Sequence, residues 1–159
     1  MRRALIVAAV AGSLLAAAPA MAAKGTYAGT VTNTTGVFAL DVKINRFGFV
    51  TKITHIRVKD VPSQCETSGE VPVHHDIPAN VSVKENGKFS GSLTQPTYGN
   101  VSTFAGRIKH KHVSGTFDIN YHYAAEGSYP EENCDTGTLA FAGKLGAPDA
   151  TQTTAKAGR

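Results

Sequence analysis

Over most of its length this chain alternates apolar and polar residues with a period of two, the spacing that puts every second side chain on one face of a strand. Phe38, Leu40, Val42 and Ile44 are apolar, whereas Ala39, Asp41, Lys43 and Asn45 are small or polar. Later, Val113, Gly115, Phe117, Ile119, Tyr121 and Tyr123 share one face against Ser114, Thr116, Asp118, Asn120 and His122. Leu139, Phe141, Gly143 and Leu145 repeat the pattern, and no segment keeps a helical period over a useful length. Turn signals recur at roughly ten-residue spacing. Asn86-Gly87 accepts the positive φ of a tight turn, so Val81 to Lys84 is expected to pair antiparallel with Phe89 to Leu93. Asn45-Arg46-Phe47-Gly48 and Lys109-His110-Lys111-His112 are looser turns of the same kind.

The expected fold is all-β: an antiparallel two-sheet sandwich of about eight to nine strands, with a flattened closed β-barrel as the alternative. Strands are expected at 25–31, 36–45, 48–58, 70–76, 79–85, 87–94, 100–109, 112–123 and 136–145. Gly29, Gly91, Gly106, Gly115 and Gly143 lie inside them, which calls for a curved or strongly twisted sheet. The stretch 124–136 reads as a surface loop.

Residues 1–22 read as a signal peptide. Arg2 and Arg3 form a basic start, Ala4 to Ala18 an apolar run, and Ala20-Met21-Ala22 a small-residue cleavage site. That run is too short to span a bilayer, and no second apolar segment follows it. General secretion fits better than twin-arginine export, because no polar residue precedes the Arg pair, and no cysteine stands near the cleavage point to take a lipid. The expected protein is exported, periplasmic or extracellular, with a single β domain at 23–145 and no membrane span. A tail at 146–159 has no large apolar residue to bury and is expected to be disordered.

Cys65 and Cys134 are the only cysteines, and in an oxidising compartment an isolated pair is expected to form a disulfide. By loop closure alone such a bridge stabilises the fold by about 4 kcal/mol. Cleavage removes Arg2 and Arg3 from the 16 basic residues while all 12 acids stay, leaving a small net positive charge. So slight a balance implies no nucleic-acid partner, and Arg107 to His112 reads as a solvated hairpin tip.

A catalytic set is not apparent. No serine sits in a Gly-x-Ser-x-Gly elbow, no glycine-rich turn leads into a helix, and Glu131-Glu132 reads as a solvated acid pair in a loop. His74 and His75 are neighbours on a strand and face opposite ways. His110 and His112 can share a face, but His122 lies about 33 Å of extended chain away from His112. No cofactor or metal is therefore expected. Tyr98 and Tyr129 look like loop aromatics free to meet a ligand, and with His110, His112 and His122 they are the candidate contact residues. Three Asn-x-Ser/Thr triplets, at Asn33, Asn80 and Asn100, are read as chance occurrences.

Gly25-Thr26-Tyr27-Ala28-Gly29, Cys65, Asn86-Gly87-Lys88-Phe89-Ser90-Gly91, Val113-Ser114-Gly115-Thr116-Phe117 and Cys134-Asp135-Thr136-Gly137 resemble a loose group of exported bacterial all-β proteins with no assigned activity. The resemblance implies an antiparallel β-sandwich with one bridge and transfers no site residue. The expected function is a non-enzymatic binding or surface-associated module whose ligand is unknown, a cell-surface component or carbohydrate among the candidates. A small-ligand carrier with an internal cavity, given room by small residues such as Ala140 and Ala142, is one alternative; a His-dependent metal protein or hydrolase is the other.

Overall fold

The structure, a computed structural model, describes residues 23–94, 100–123 and 130–152, so the expected signal peptide lies outside the described residues. Eight strands follow in chain order: β1 (Ala23–Val31), β2 (Val37–Ile44), β3 (Val50–Cys65), β4 (Gly69–Ser82), β5 (Lys88–Thr94), β6 (Val101–Lys109), β7 (His112–Tyr123) and β8 (Glu132–Leu145). The protein is all-β and antiparallel, as its period-two pattern requires. Among the described residues there is no helix, and so none long and apolar enough to cross a membrane.

The strands form one continuous sheet in the order β4-β3-β2-β1-β8-β7-β6-β5. Two four-strand meanders are thus joined where the first strand meets the last, Tyr27 to Val31 lying opposite Leu145 to Phe141. β8 also reaches β3, with Gln64 opposite Asp135 and Cys65 opposite Cys134, so β3, β2, β1 and β8 form a closed ring of ladders while β4 and β5 remain edges. The sheet curls until its halves meet over one apolar cluster fed by all eight strands. Phe38 packs 4.5 Å from Phe141, and Ser63 on β3 meets the Tyr121 hydroxyl of β7 at 3.0 Å.

Curvature is bought by glycine facing phenylalanine. Phe89, Gly106, Gly115 and Phe141 lie opposite one another across β5, β6, β7 and β8. A Cβ on Gly106 would come within 2.7 Å of Phe89 Cζ, and one on Gly115 within 2.9 Å of Phe141 Cζ and against the Ala105 carbonyl. Each ring therefore lies over the glycine beside it, restoring the packing that glycine lacks and letting the strands bend.

Several expectations need correction. Asn86-Gly87 does make a turn, with Gly87 at φ 80, but the ladder beyond it ends at the Lys84 N–H donating to the Lys88 carbonyl at 2.9 Å. Val81 to Lys84 does not pair with Phe89 to Leu93; β5 pairs with β6 instead. The nine expected strands become eight because 70–76 and 79–85 merge into β4. Pro72 and Pro78 are tolerated there because β4 is an edge and needs no donors on its free side. β3 runs on through a bulge near Asp60 (φ 56) to Cys65, and β8 starts at Glu132, so both cysteines sit in strands rather than loops. Ala140 and Ala142 are exposed on the outer face and leave no room inside.

The segment after β8, expected to bury nothing, makes specific contacts in its first half. Gly146 N–H donates to the Thr26 carbonyl at 2.9 Å, and Asp149 accepts from Arg57 at 2.7 Å. The segment therefore crosses the outer face from β1 to β3. Arg57 also grips Asp41 through two nitrogens at 2.6 and 2.9 Å. Burial opposes the charged form of Asp41, but the hydrogen bonds from Arg57 and Thr26 outweigh it and hold the carboxyl below its ordinary range.

The bridge between Cys65 and Cys134 closes a sequence separation of 69 residues. Titration of the unfolded, unreduced protein should find no free thiol, and Cys134→Ala should lose about 2–5 kcal/mol. Gly115→Ala should cost about 1–3 kcal/mol in urea unfolding through overpacking against Phe141 and β6. Wild-type stability in that variant would contradict the account of the curl.

Candidate functional site

Three turns converge at one end of the curled sheet: Asn45–Phe49 between β2 and β3, Val83–Gly87 between β4 and β5, and His110–Lys111 between β6 and β7. The first forms because the Asn45 side-chain oxygen accepts from the N–H groups of Phe47 and Phe49, both at 3.0 Å, and Gly48 supplies φ 83. The third has His110 at φ 55, its carbonyl accepting from the Tyr27 hydroxyl at 2.9 Å. Between them opens a pocket of about 740 Å³. Tyr27, Phe49, Val50, Val83 and Ile108 are its apolar lining, and Lys84, Glu85, Lys109 and His110 its charged and polar lining. The mouth exists because β4 and β5 are not laddered together, so the turn joining them spans an open seam.

The pocket has the size of a small-molecule site, an apolar wall, two lysines and one carboxylate, Glu85. A second hollow, of about 730 Å³, lies on the outer face between Arg57, Lys59, His74, Asp76 and Gln152 and is more open to solvent.

The structure separates the candidate histidines. His110 lies at the pocket, and His112 begins β7 opposite Lys109 and Lys144. His122 is at the far end of β7, where Nδ1 lies 3.2 Å from Asn133 Oδ1 and Nε2 lies 2.9 Å from Glu131 Oε1. Asn133 turns its oxygen to the ring because its amide nitrogen donates to Glu66. Two acceptors flank one imidazole, so the doubly protonated form is favoured; Asn133, with Glu131 behind it, raises the pKa against a smaller opposing effect of burial. Tyr98 and Tyr129 lie outside the described residues.

Two residues beyond the candidates carry unusual environments. His75 does face inward, opposite to His74, and its ring meets Tyr121 edge-on at 4.7 Å with a buried, unpartnered Nε2. Burial, with His74 nearby, lowers its pKa. Glu132, read from sequence as solvated, is buried at 4% exposure and accepts from the N–H groups of Thr67 and Ser68 at 2.6 and 2.9 Å and from the Ser68 hydroxyl. Those bonds, led by the Ser68 hydroxyl, lower its pKa and fasten the β3–β4 turn. Cys65, Glu132 and Cys134 place ligand-type atoms within 4.8 Å of one another, yet the two sulfurs are bonded together and offer no thiolate.

Sequence reasoning missed Phe47, Phe49 and Ile108. The signal was present in Phe47 and Phe49, two large apolar residues flanking the glycine of a turn where polar residues are usual.

NMR titration should find His122 with a midpoint above 6.5 and His75 with one below it. The contribution of His122 to stability is full below pH 6.5 and is lost as pH rises through its folded value. That of His75 is full above 6.5 and is lost as pH falls toward its lower folded value. Coincident midpoints would contradict the geometry.

No protein-family model, curated protein or solved structure matches this chain, and the reading of the pocket rests on its own residues.

Proposed function

We propose that the protein is an exported, non-enzymatic binding protein that takes a small amphipathic ligand, an apolar body with an anionic head, into the pocket at the open seam. One observation carries this reading: a pocket of about 740 Å³ lined by Phe49, Val83 and Ile108 and by two lysines, Lys84 and Lys109, against one carboxylate, Glu85. Burying an apolar body there gains about 25 cal/mol per Å² removed from water. Lysines at a solvent-exposed rim add orientation and encounter rate more than affinity. The interior behind the pocket is filled by Phe38, Phe104, Phe117 and Phe141, so the ligand sits in the mouth of the sheet rather than in a central cavity. Export is supported by the Cys65–Cys134 bridge, which persists in an oxidising compartment, together with the Arg2-Arg3 start and apolar run of residues 4–18.

Anilinonaphthalene sulfonate, a fluorescent probe with an apolar body and a sulfonate, has the required chemistry. It should bind the folded protein near one equivalent, with affinity weakened at least about tenfold, a loss of 1.4 kcal/mol or more, by Ile108→Asp. Lys84→Glu with Lys109→Glu should weaken it further. Binding that survives all three changes, in variants whose circular dichroism is that of wild type, would remove the pocket from consideration.

A further inference from the structure

The end that carries the pocket also carries an exposed aromatic tip on a basic collar, and we infer that this tip docks on a membrane surface rich in anionic headgroups. The inference goes beyond the pocket reading and does not rest on it. Phe47 is 68% exposed and Phe49 66% exposed, both on the Asn45–Phe49 turn, and Arg46 stacks its guanidinium 4.7 Å from the Phe47 ring centroid. Two large rings exposed on one turn make the kind of apolar patch that marks a protein or membrane contact.

Charge identifies the partner. Lys24 lies directly opposite Lys43 across β1 and β2, and Lys43 directly opposite Lys52 across β2 and β3. Lysines facing one another across strands repel, so the row is destabilising unless an anion lies against it. On the other half of the sheet Lys88 pairs with Arg107, continuing the collar past the seam. In the three turns at this end Glu85 is the one acid, while Asp41 and Asp149 are already held by Arg57. Glu66, Glu70, Glu131 and Asp135 belong to the opposite end. Charge is therefore polarised along the strands, with Lys59 the base that lies toward the acidic end, and such a dipole turns the Phe47 end toward a negative surface.

A bilayer fits better than a soluble polyanion because of the geometry of the tip. The Lys43–Lys52 pair stands two residues behind Asn45, roughly 7 Å along the strand, which is the depth to which apolar side chains enter the headgroup and acyl boundary. With Phe47 and Phe49 inserted, the lysine row lies level with lipid phosphates.

The chain has no tryptophan, so Phe47→Trp is a single local reporter on the full chain. With vesicles of phosphatidylglycerol and phosphatidylcholine in equal parts, its emission should shift to shorter wavelength and be quenched by bromine-labelled acyl chains. Adding Lys43→Glu with Lys52→Glu should weaken that response at least about tenfold, and high salt should weaken it also. A Glu70→Trp reporter at the other end should stay in water. Four results would overturn the inference: no shift at position 47, an equal shift at positions 47 and 70, a response indifferent to the charge reversals, or the same shift with soluble polyphosphate, which would mark a polyanion partner. Probe binding to the pocket is measured separately, so failure of either reading leaves the other standing.

Discussion

The antiparallel pairing of β1 with β8 is the contact on which the rest of the structure depends. Each meander, β1 to β4 and β5 to β8, is held by local hairpin ladders. Among the described residues the ladders that join one to the other are β1–β8 and the short β3–β8 pair at the disulfide. Gly29 opposite Gly143 lets those terminal strands pack closely, and the Phe38 ring covers the position where side chains are missing. Bringing residue 27 to residue 145 closes most of the chain in one loop, an entropic cost that the Cys65–Cys134 bridge reduces in the unfolded ensemble. Once this closure is made, the sheet has only one place to stay open, the seam between β4 and β5. The pocket lies there.

How far the fold was legible in the sequence depends on which residues are considered. The faces of β2 and β7 followed directly from Phe38, Leu40, Val42 and from Val113, Phe117, Tyr121, because burial on one side imposes a period of two. Which strands meet to close the ring was not legible. Asn86-Gly87 pointed to a hairpin ladder and delivers only a turn, since the Gly87 carbonyl is taken by the Ile108 N–H and draws β5 toward β6. Local turn chemistry was outweighed by long-range pairing, which single-residue signals do not encode. Pro72 and Pro78 misled in the same way, because whether a proline ends a strand depends on its being at an edge, a property of the finished sheet. Arg57 with Asp41 and Asp149 was equally hidden, since two of its three members lie 92 residues apart.

The site was less legible than the fold. His110 was singled out and does stand at the pocket, but His112 and His122 belong elsewhere, one in the basic collar and one in a hydrogen-bonded cluster with Asn133 and Glu131. Net charge concealed the more telling quantity, its distribution. Lys24, Lys43, Lys52, Lys88 and Arg107 fall in register toward one end and Glu66, Glu70, Glu131 and Asp135 toward the other, an arrangement visible only once strand directions and pairings are known. The pocket, the exposed Phe47 and Phe49 and a row of lysines lie at the same end of the sheet.

Native-state hydrogen exchange tests the architecture most directly. If β1 and β8 hold the two meanders together and β4 and β5 are free edges, the amides of Ala28–Val31 and Phe141–Lys144 should exchange only on global unfolding. Alternate amides of β4 and β5, those turned away from β3 and β6, should exchange by local opening at far lower free energy. Equal protection of both edges with the centre would mean that β4 and β5 are laddered together, that the sheet is closed all round, and that the mouth described here does not exist.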